Sequence, residues 1–288
     1  MHGMAGALIP KDRTVAALAE VWASIEELLG TLDLDQWSTP SPLAGWDVQA
    51  NVAHMIGTES MLAGEPNPEV EVERSANPHV RNDIGAFNEI WVQYLADKEP
   101  SEVLERFRDV TRRRIHALRA MEQEAWDAES FSPAGQDTYG RFMQIRVFDC
   151  WFHEQDIRDA VGRPGHRTGP AVEVALDEVS TALGFVVGKK AGAAPGQSVT
   201  FDLVDPDGAS GRQVHVEVGE RARVVPELSP GPDGTAPASA TVTIRMPLVP
   251  FTRLCGGRAT ADQYADLIEL EGDLDLAQRV LANLAYTI

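Results

Sequence analysis

The chain has 288 residues and a formal net charge of −19, with 44 acidic side chains against 25 lysines and arginines. A surface that acidic excludes nucleic acid as a partner, because binding a phosphate backbone depends on basic groups that displace its counterions. Hydrophobic content of 43% with 24% charged residues is that of a globular protein long enough for two domains, each with its own core. No apolar run approaches the length of a membrane span, and MHGMAGALIPKDR lacks the basic stretch and apolar core of a secretory leader, so a cytoplasmic location and no membrane partner are expected. Cys150 and Cys255 form no CxxC, which argues against a disulfide framework or a thiolate zinc site, and Cys150 reads as a packed thiol.

In chain order, Thr14 to Leu29 carries Val15, Leu18, Trp22, Ile25 and Leu28 at helical spacing, with Gly30 as its stop. A turn-rich connection leads to Asp47, the expected cap of a second helix from Val48 to Leu62. On that helix Val48, Val52, Met55 and Leu62 form one stripe, and His54, Thr58 and Met61 lie beside it, which places His54 at the border of the core. The acidic, proline-containing stretch EPNPEVEVERSANP reads as an exposed loop. Ile84, Phe87, Trp91 and Leu95 mark a third helix, and Ser101 is expected to cap a fourth, with Arg112, Arg113 and Arg114 on its solvated side. SFSPAGQDTYG reads as a link into a helix from about Arg141 to Val161, closed by Gly162, and Ala171 to Val187 adds another.

Near Lys189 the pattern changes. KKAGAAPGQ has the composition of a linker, and beyond it SVTFDLV, QVHVEV and ATVTIRM alternate with period two, as half-buried antiparallel strands do. ELSPGPDGTAPAS is a turn-rich loop, PLVPFTRLCGG and DLDLAQRVLANLAYTI read as helices, and LIELEGD as a strand between them. The expected architecture is α plus α+β: an up-and-down four-helix bundle over residues 1–189, then residues 190–288 as a small antiparallel sheet with helices on one face.

The stretch RVFDCWFHEQD carries the chemistry. At about 100° per residue, Asp149, His153 and Asp156 share one stripe of their helix, with Arg146 beside it. Two carboxylates and an imidazole on one face are costly to bury uncompensated, and a divalent cation held by Asp149 and His153 is one compensation. A solvated helix face with a lone histidine is the other reading.

The pattern W-x-x-P-x-P-L-A-G-W-D-V-x-x-N-V-A-H from Trp37 to His54, with R-x-x-D-x-x-x-H-x-x-D from Arg146 to Asp156, resembles the mycothiol-dependent maleylpyruvate isomerase family. That resemblance implies a DinB-like bundle in which His54, Asp149 and His153 hold a divalent metal, usually zinc, and a sterol-carrier-like second domain. It implies mycothiol as thiol cosubstrate, activated as a thiolate for addition to an electrophile, in an isomerase or an S-transferase. The family more commonly has Glu at the acidic position, where this chain has Asp149.

Asp156, one turn beyond His153, is expected to orient an imidazole rather than bind metal. Arg146 and Arg258 are candidate catalytic clamps for substrate carboxylates, with Arg253 a further candidate near Arg258; Arg146 can equally pair with Asp149 and place it. The expected partners are a small-molecule thiol and an electrophilic substrate, acting on a monomer or homodimer. The rival reading is a non-catalytic metal-containing bundle whose C-terminal domain binds an apolar ligand.

Overall fold

Helical spacing in the first half becomes α1 (Lys11–Leu29), the single turn α2 (Leu34–Trp37), α3 (Val48–Leu62), α4 (Asp83–Leu95), α5 (Pro100–Ala120), α6 (Gln123–Trp126) and α7 (Tyr139–Val161). A computed structural model describes residues 8–205, 211–230 and 239–287. The chain divides into two compact units, Met1–Ala175 and Leu176–Ile288. The division falls inside α8 (Pro170–Phe185), ahead of the change of pattern near Lys189. The C-terminal half of α8 works with the second unit: Asp177 accepts a 2.6 Å bond from Arg212, and Gly184 lies against the backbone of Ala222.

In the first unit α3 neighbours α4, α5 and α7, while α1 neighbours α5 and α7. This places α3 inside, and nearly all of its side chains are buried, polar ones included. The Asp47 carboxylate caps it by accepting from the Ala50 N–H at 2.8 Å. Close approach to α4 requires Gly57, where a Cβ would stand 2.5 Å from the Trp91 ring. Gly57→Ala is therefore expected to destabilise the protein by about 1–3 kcal/mol through overpacking, read from the midpoint of chemical denaturation.

Three expectations for this unit are corrected. The cap of α5 is Glu99 with Pro100 in the first turn, not Ser101, because proline's fixed φ and missing N–H suit that position. Arg114 is not solvated but buried, since its side of α5 faces α3 and α7. The link SFSPAGQDTYG contains a hairpin, β1 (Glu129–Ser132) and β2 (Gly135–Thr138), so strands occur before Lys189. Its turn is closed by the Ser132 hydroxyl, which donates to the Gly135 carbonyl and accepts from the Ala134 N–H, with Gly135 at φ +108°. Four-residue strands are too short to show a period of two.

The second unit holds β3 (Ser198–Val204), β4 (Gly211–Val218), β5 (Ala222–Val225), β6 (Val242–Met246) and β7 (Glu269–Gly272), with α9 (Leu248–Cys255) and α10 (Leu274–Ala282). The sheet order is β5-β4-β3-β6-β7, and β3 pairs with β6 in parallel, which corrects the antiparallel expectation. The two hairpins β3–β4 and β4–β5 build toward one edge, so the returning chain joins the free side of β3 in the same direction. Register sets Phe201 between Val214 and Ile244, and Val199 between Val216 and Val242, all buried on one face. Phe251 of α9 covers that face, 5.4 Å from Phe201. The half-exposed edge strand β5 showed no alternation in the sequence, and α10 ends at Ala282, short of the expected helix. Most of the turn-rich loop, residues 231–238, lies outside the described residues. Among the described residues no helix is long and apolar enough to cross a membrane.

Candidate metal centre

His54 comes from α3, and Asp149 and His153 from successive turns of α7, the neighbouring helix. α7 is set by the Thr138 hydroxyl, which caps its start, and by Gly162, whose left-handed conformation at φ +65° ends it. His54 Nε2 lies 3.2 Å from Asp149 Oδ2, and His153 Nε2 lies 3.5 Å from Asp149 Oδ1. One donor atom from each of the three side chains falls within 4.8 Å of the others. Donors around a four-coordinate zinc, each about 2.0–2.2 Å from it, stand roughly 3.4 Å apart, so two imidazoles and a carboxylate at these spacings fit such a cation. Both imidazoles are buried, and the Asp149 side chain retains 28% exposure, which makes it the accessible member.

The tautomer of His153 follows from its surroundings. Asn51 donates its amide to the Asp47 carbonyl at 2.8 Å, which turns its Oδ1 toward His153 Nδ1 at 2.9 Å. Asp156, fully buried, brings Oδ2 to 3.3 Å from the same nitrogen. With two acceptors there, Nδ1 carries a proton, and Nε2 is the nitrogen that faces the cluster. Asp156 thus lies where its place on the stripe put it, whereas Asn51 was part of a motif and had no assigned role.

Arg146 points its donors into the protein: Nε to Glu59 Oε1 at 2.8 Å, Nη1 to Asp149 Oδ2 at 2.5 Å, and Nη2 to Cys150 Sγ at 3.3 Å. Glu59, wholly buried on α3, also accepts from Arg114 Nε at 2.9 Å, and Arg114 reaches the Tyr139 hydroxyl at 2.9 Å. The side chains Arg114, Glu59, Arg146 and Asp149 therefore alternate in sign from α5 through α3 to α7. Arg146 thus makes the contact with Asp149 that one of its two expected roles requires. Glu59 was missed although it continues the stripe of Val48, Val52, Met55 and Leu62, a place that marks it as interior; only its partners, from α5 and α7, lie beyond the reach of local pattern.

Burial opposes charge on Asp149, but Arg146, His153 and His54 outweigh it and hold the carboxyl well below its usual range. Burial also works against protonating His153, yet Asp149 and Asp156 prevail and raise its pKa. For His54 burial prevails over the pull of Asp149, and the pKa falls. Burial pushes the Cys150 thiol up to about 12, as befits a packed thiol.

Arg253 and Arg258 belong to the second unit. Arg253 is buried on α9, and Arg258 donates to the Gly256 carbonyl at 2.5 Å, beside the end of that helix.

Comparison with known proteins adds the lineage. The model of the mycothiol maleylpyruvate isomerase N-terminal domain matches residues 18–158, and that of the MDMPI C-terminal domain matches residues 173–279. Two Mycobacterium tuberculosis proteins, each named only as an uncharacterized protein (MT0041 and Rv0036c), are 26% identical over 152 residues. That match takes in 51% of this chain and 56% of theirs, so the chain spans little more than half the length of these curated relatives. A crystal structure of a mycothiol-dependent maleylpyruvate isomerase is similar with a TM-score of 0.57 at 15% identity, over 91% of this chain and 93% of that one. A histidine-to-alanine mutant of such an isomerase gives 0.56 at 16% identity with the same coverage. At these identities the structural likeness concerns the fold. The two family models succeed one another along most of the sequence, and the chain belongs to the mycothiol-dependent maleylpyruvate isomerase family.

Proposed function

We propose that this protein is a mycothiol-dependent isomerase of the maleylpyruvate class that holds a divalent cation, zinc by the chemistry of its donors, between His54, Asp149 and His153. The observation that carries this reading is the convergence of two buried imidazoles and one carboxylate from α3 and α7. In the reaction the thiol sulfur adds to a cis double bond, the carbon–carbon bond rotates, and elimination releases the trans isomer and returns the thiol. An S-transferase stops at the adduct. Held by His54, Asp149 and His153, a divalent cation would lower the pKa of a thiol in a position beside it.

The chain's own residues prepare that position. Asn51 and Asp156 hold a proton of His153 on Nδ1 and so aim its Nε2 at the cluster, and burial disfavours the charged form of His54. Arg146, fixed by Glu59, orients the Asp149 carboxylate and keeps it ionised. The proposal takes α1, α3, α5 and α7 as an up-and-down bundle of the DinB kind, and it rests on the first unit alone, giving Arg258 no substrate contact. Elemental analysis of purified protein and a mycothiol-dependent isomerisation assay test it together. One divalent metal per chain and thiol-dependent turnover are expected for the wild type, with both lost in His153→Ala. Unchanged metal content in His153→Ala would overturn the assignment.

A further inference from the structure

The short turn before α3 delivers an indole to the metal centre. Ser41 N–H donates to the Trp46 carbonyl at 2.9 Å and Trp46 N–H to the Leu43 carbonyl at 3.1 Å, closing the loop. Gly45 adopts φ +83°, and a Cβ there would stand 2.5 Å from the His79 ring, so the turn and the segment bearing His79 fit together only through a glycine. Trp46 then lies with its ring centroid 5.3 Å from that of His54 and 5.9 Å from that of His153, while the two imidazoles meet edge to face at 4.7 Å. Trp46 is partly exposed and the imidazoles are buried, which makes it the boundary between the cluster and solvent on that side.

The indole is itself anchored. Its N–H lies 3.3 Å from Glu89 Oε2 on α4, and Glu89, which is buried, also meets His79 Nε2 at 3.0 Å and the Gln93 amide at 3.5 Å. Neither Glu89 nor His79 belongs to the three-donor cluster, and neither had a role in the sequence reading.

We infer that Trp46 is a positioning residue for the two imidazoles, held in place by Glu89 and His79, so that α4 and the segment before it set the geometry and the water access of the metal centre. The inference rests on the proposed metal site for its functional meaning, but its geometry can be tested without metal. A ring current from an indole at these distances displaces the His54 and His153 ring signals in proton–carbon NMR spectra of the metal-free protein. Assignment uses His54→Ala and His153→Ala. Trp46→Phe and Glu89→Leu are both expected to move the signals of His54 and His153, although Glu89 is in contact with neither, and Glu89→Gln, which keeps an oxygen acceptor, is expected to restore them toward wild type. Unmoved signals in Glu89→Leu, or no restoration by Glu89→Gln, would overturn the inference.

Cobalt(II) provides the second arm. Trp46→Phe is expected to keep one bound cobalt per chain by calorimetry while losing part of the cobalt-dependent quenching of tryptophan emission, the remainder coming from Trp151 and Trp22. Glu89→Leu is expected to weaken cobalt binding by about tenfold or more, as loss of an outer support does. Quenching equal to wild type in Trp46→Phe would overturn the placement of the indole. Failure of the wild type to bind cobalt would sink the proposed function instead, and the NMR comparison would still decide the role of Trp46.

Discussion

Asp149→Ala is expected to abolish stoichiometric metal binding, and Asp156→Asn to weaken it by about ten- to a hundredfold. The difference follows from position. Asp149 faces both His54 Nε2 and His153 Nε2 and supplies the single carboxylate of the cluster, so its removal leaves two donors and a buried guanidinium beside them. A cation entering that site would meet the Arg146 guanidinium, whose remaining anion, Glu59, is shared with Arg114. Asp156 acts from behind, on His153 Nδ1, where Asn51 offers a second acceptor, so its loss relaxes the orientation of one ligand without removing a donor. Zinc titration against a competing chelator, with elemental analysis as a check on stoichiometry, measures both. Equal losses from the two changes would contradict the division of roles. Asp149→Glu is the informative third variant, because it sets a side chain longer by one methylene against an Arg146 already placed for the shorter one.

Glu59→Leu is expected to destabilise the metal-free protein by about 3–5 kcal/mol, the cost of leaving a buried charge without its partner. Glu59 is wholly buried and divides its two oxygens between Arg146 and Arg114, so the substitution strips both buried guanidiniums of an anion at once. The pKa of Arg146 is raised by its anionic neighbours in spite of burial, and that of Arg114 is raised by Glu59 and Tyr139, so neither escapes by losing its proton. Urea denaturation with circular dichroism gives the shift in midpoint. Arg112→Ala is the control: Arg112 is a solvated partner of Asp109, and a change of less than about 1 kcal/mol is expected there. If the two substitutions cost the same, the charge chain from α5 to α7 does not stabilise the unit. Metal affinity is expected to fall in Glu59→Leu as well, since Arg146 loses the contact that aims it at Asp149.

Features that depend on a few neighbouring residues were legible before any fold was known. The spacing of Asp149, His153 and Asp156 sets them on one stripe whatever the helix packs against, because a helix of 3.6 residues per turn fixes that angle. Asp47 as the cap of α3, Gly162 as the stop of α7, and the alternation that made β3, β4 and β6 were legible for the same reason: each depends on residues a few positions apart. The family pattern around Trp37 to His54 pointed to a second helix as the source of one ligand, and the structure brings His54 to 3.2 Å from Asp149.

The partners of the interior polar side chains emerge only from the packing of distant segments. Arg114 and Glu59 continue the apolar stripes of α5 and α3, and what spacing could not supply is the set of compensating charges that three helices bring to one another. Asn51 and Trp46 lay in a recognised motif, yet their partners, His153 in the one case and Glu89 of α4 in the other, come from elements distant in the chain. The parallel pairing of β3 with β6 was likewise out of reach, since alternation reports that a strand has a buried face but says nothing of its neighbour's direction. Periodicity depends on the backbone geometry of one segment, whereas the pairing of buried charges and the order of strands depend on which segments the fold brings together.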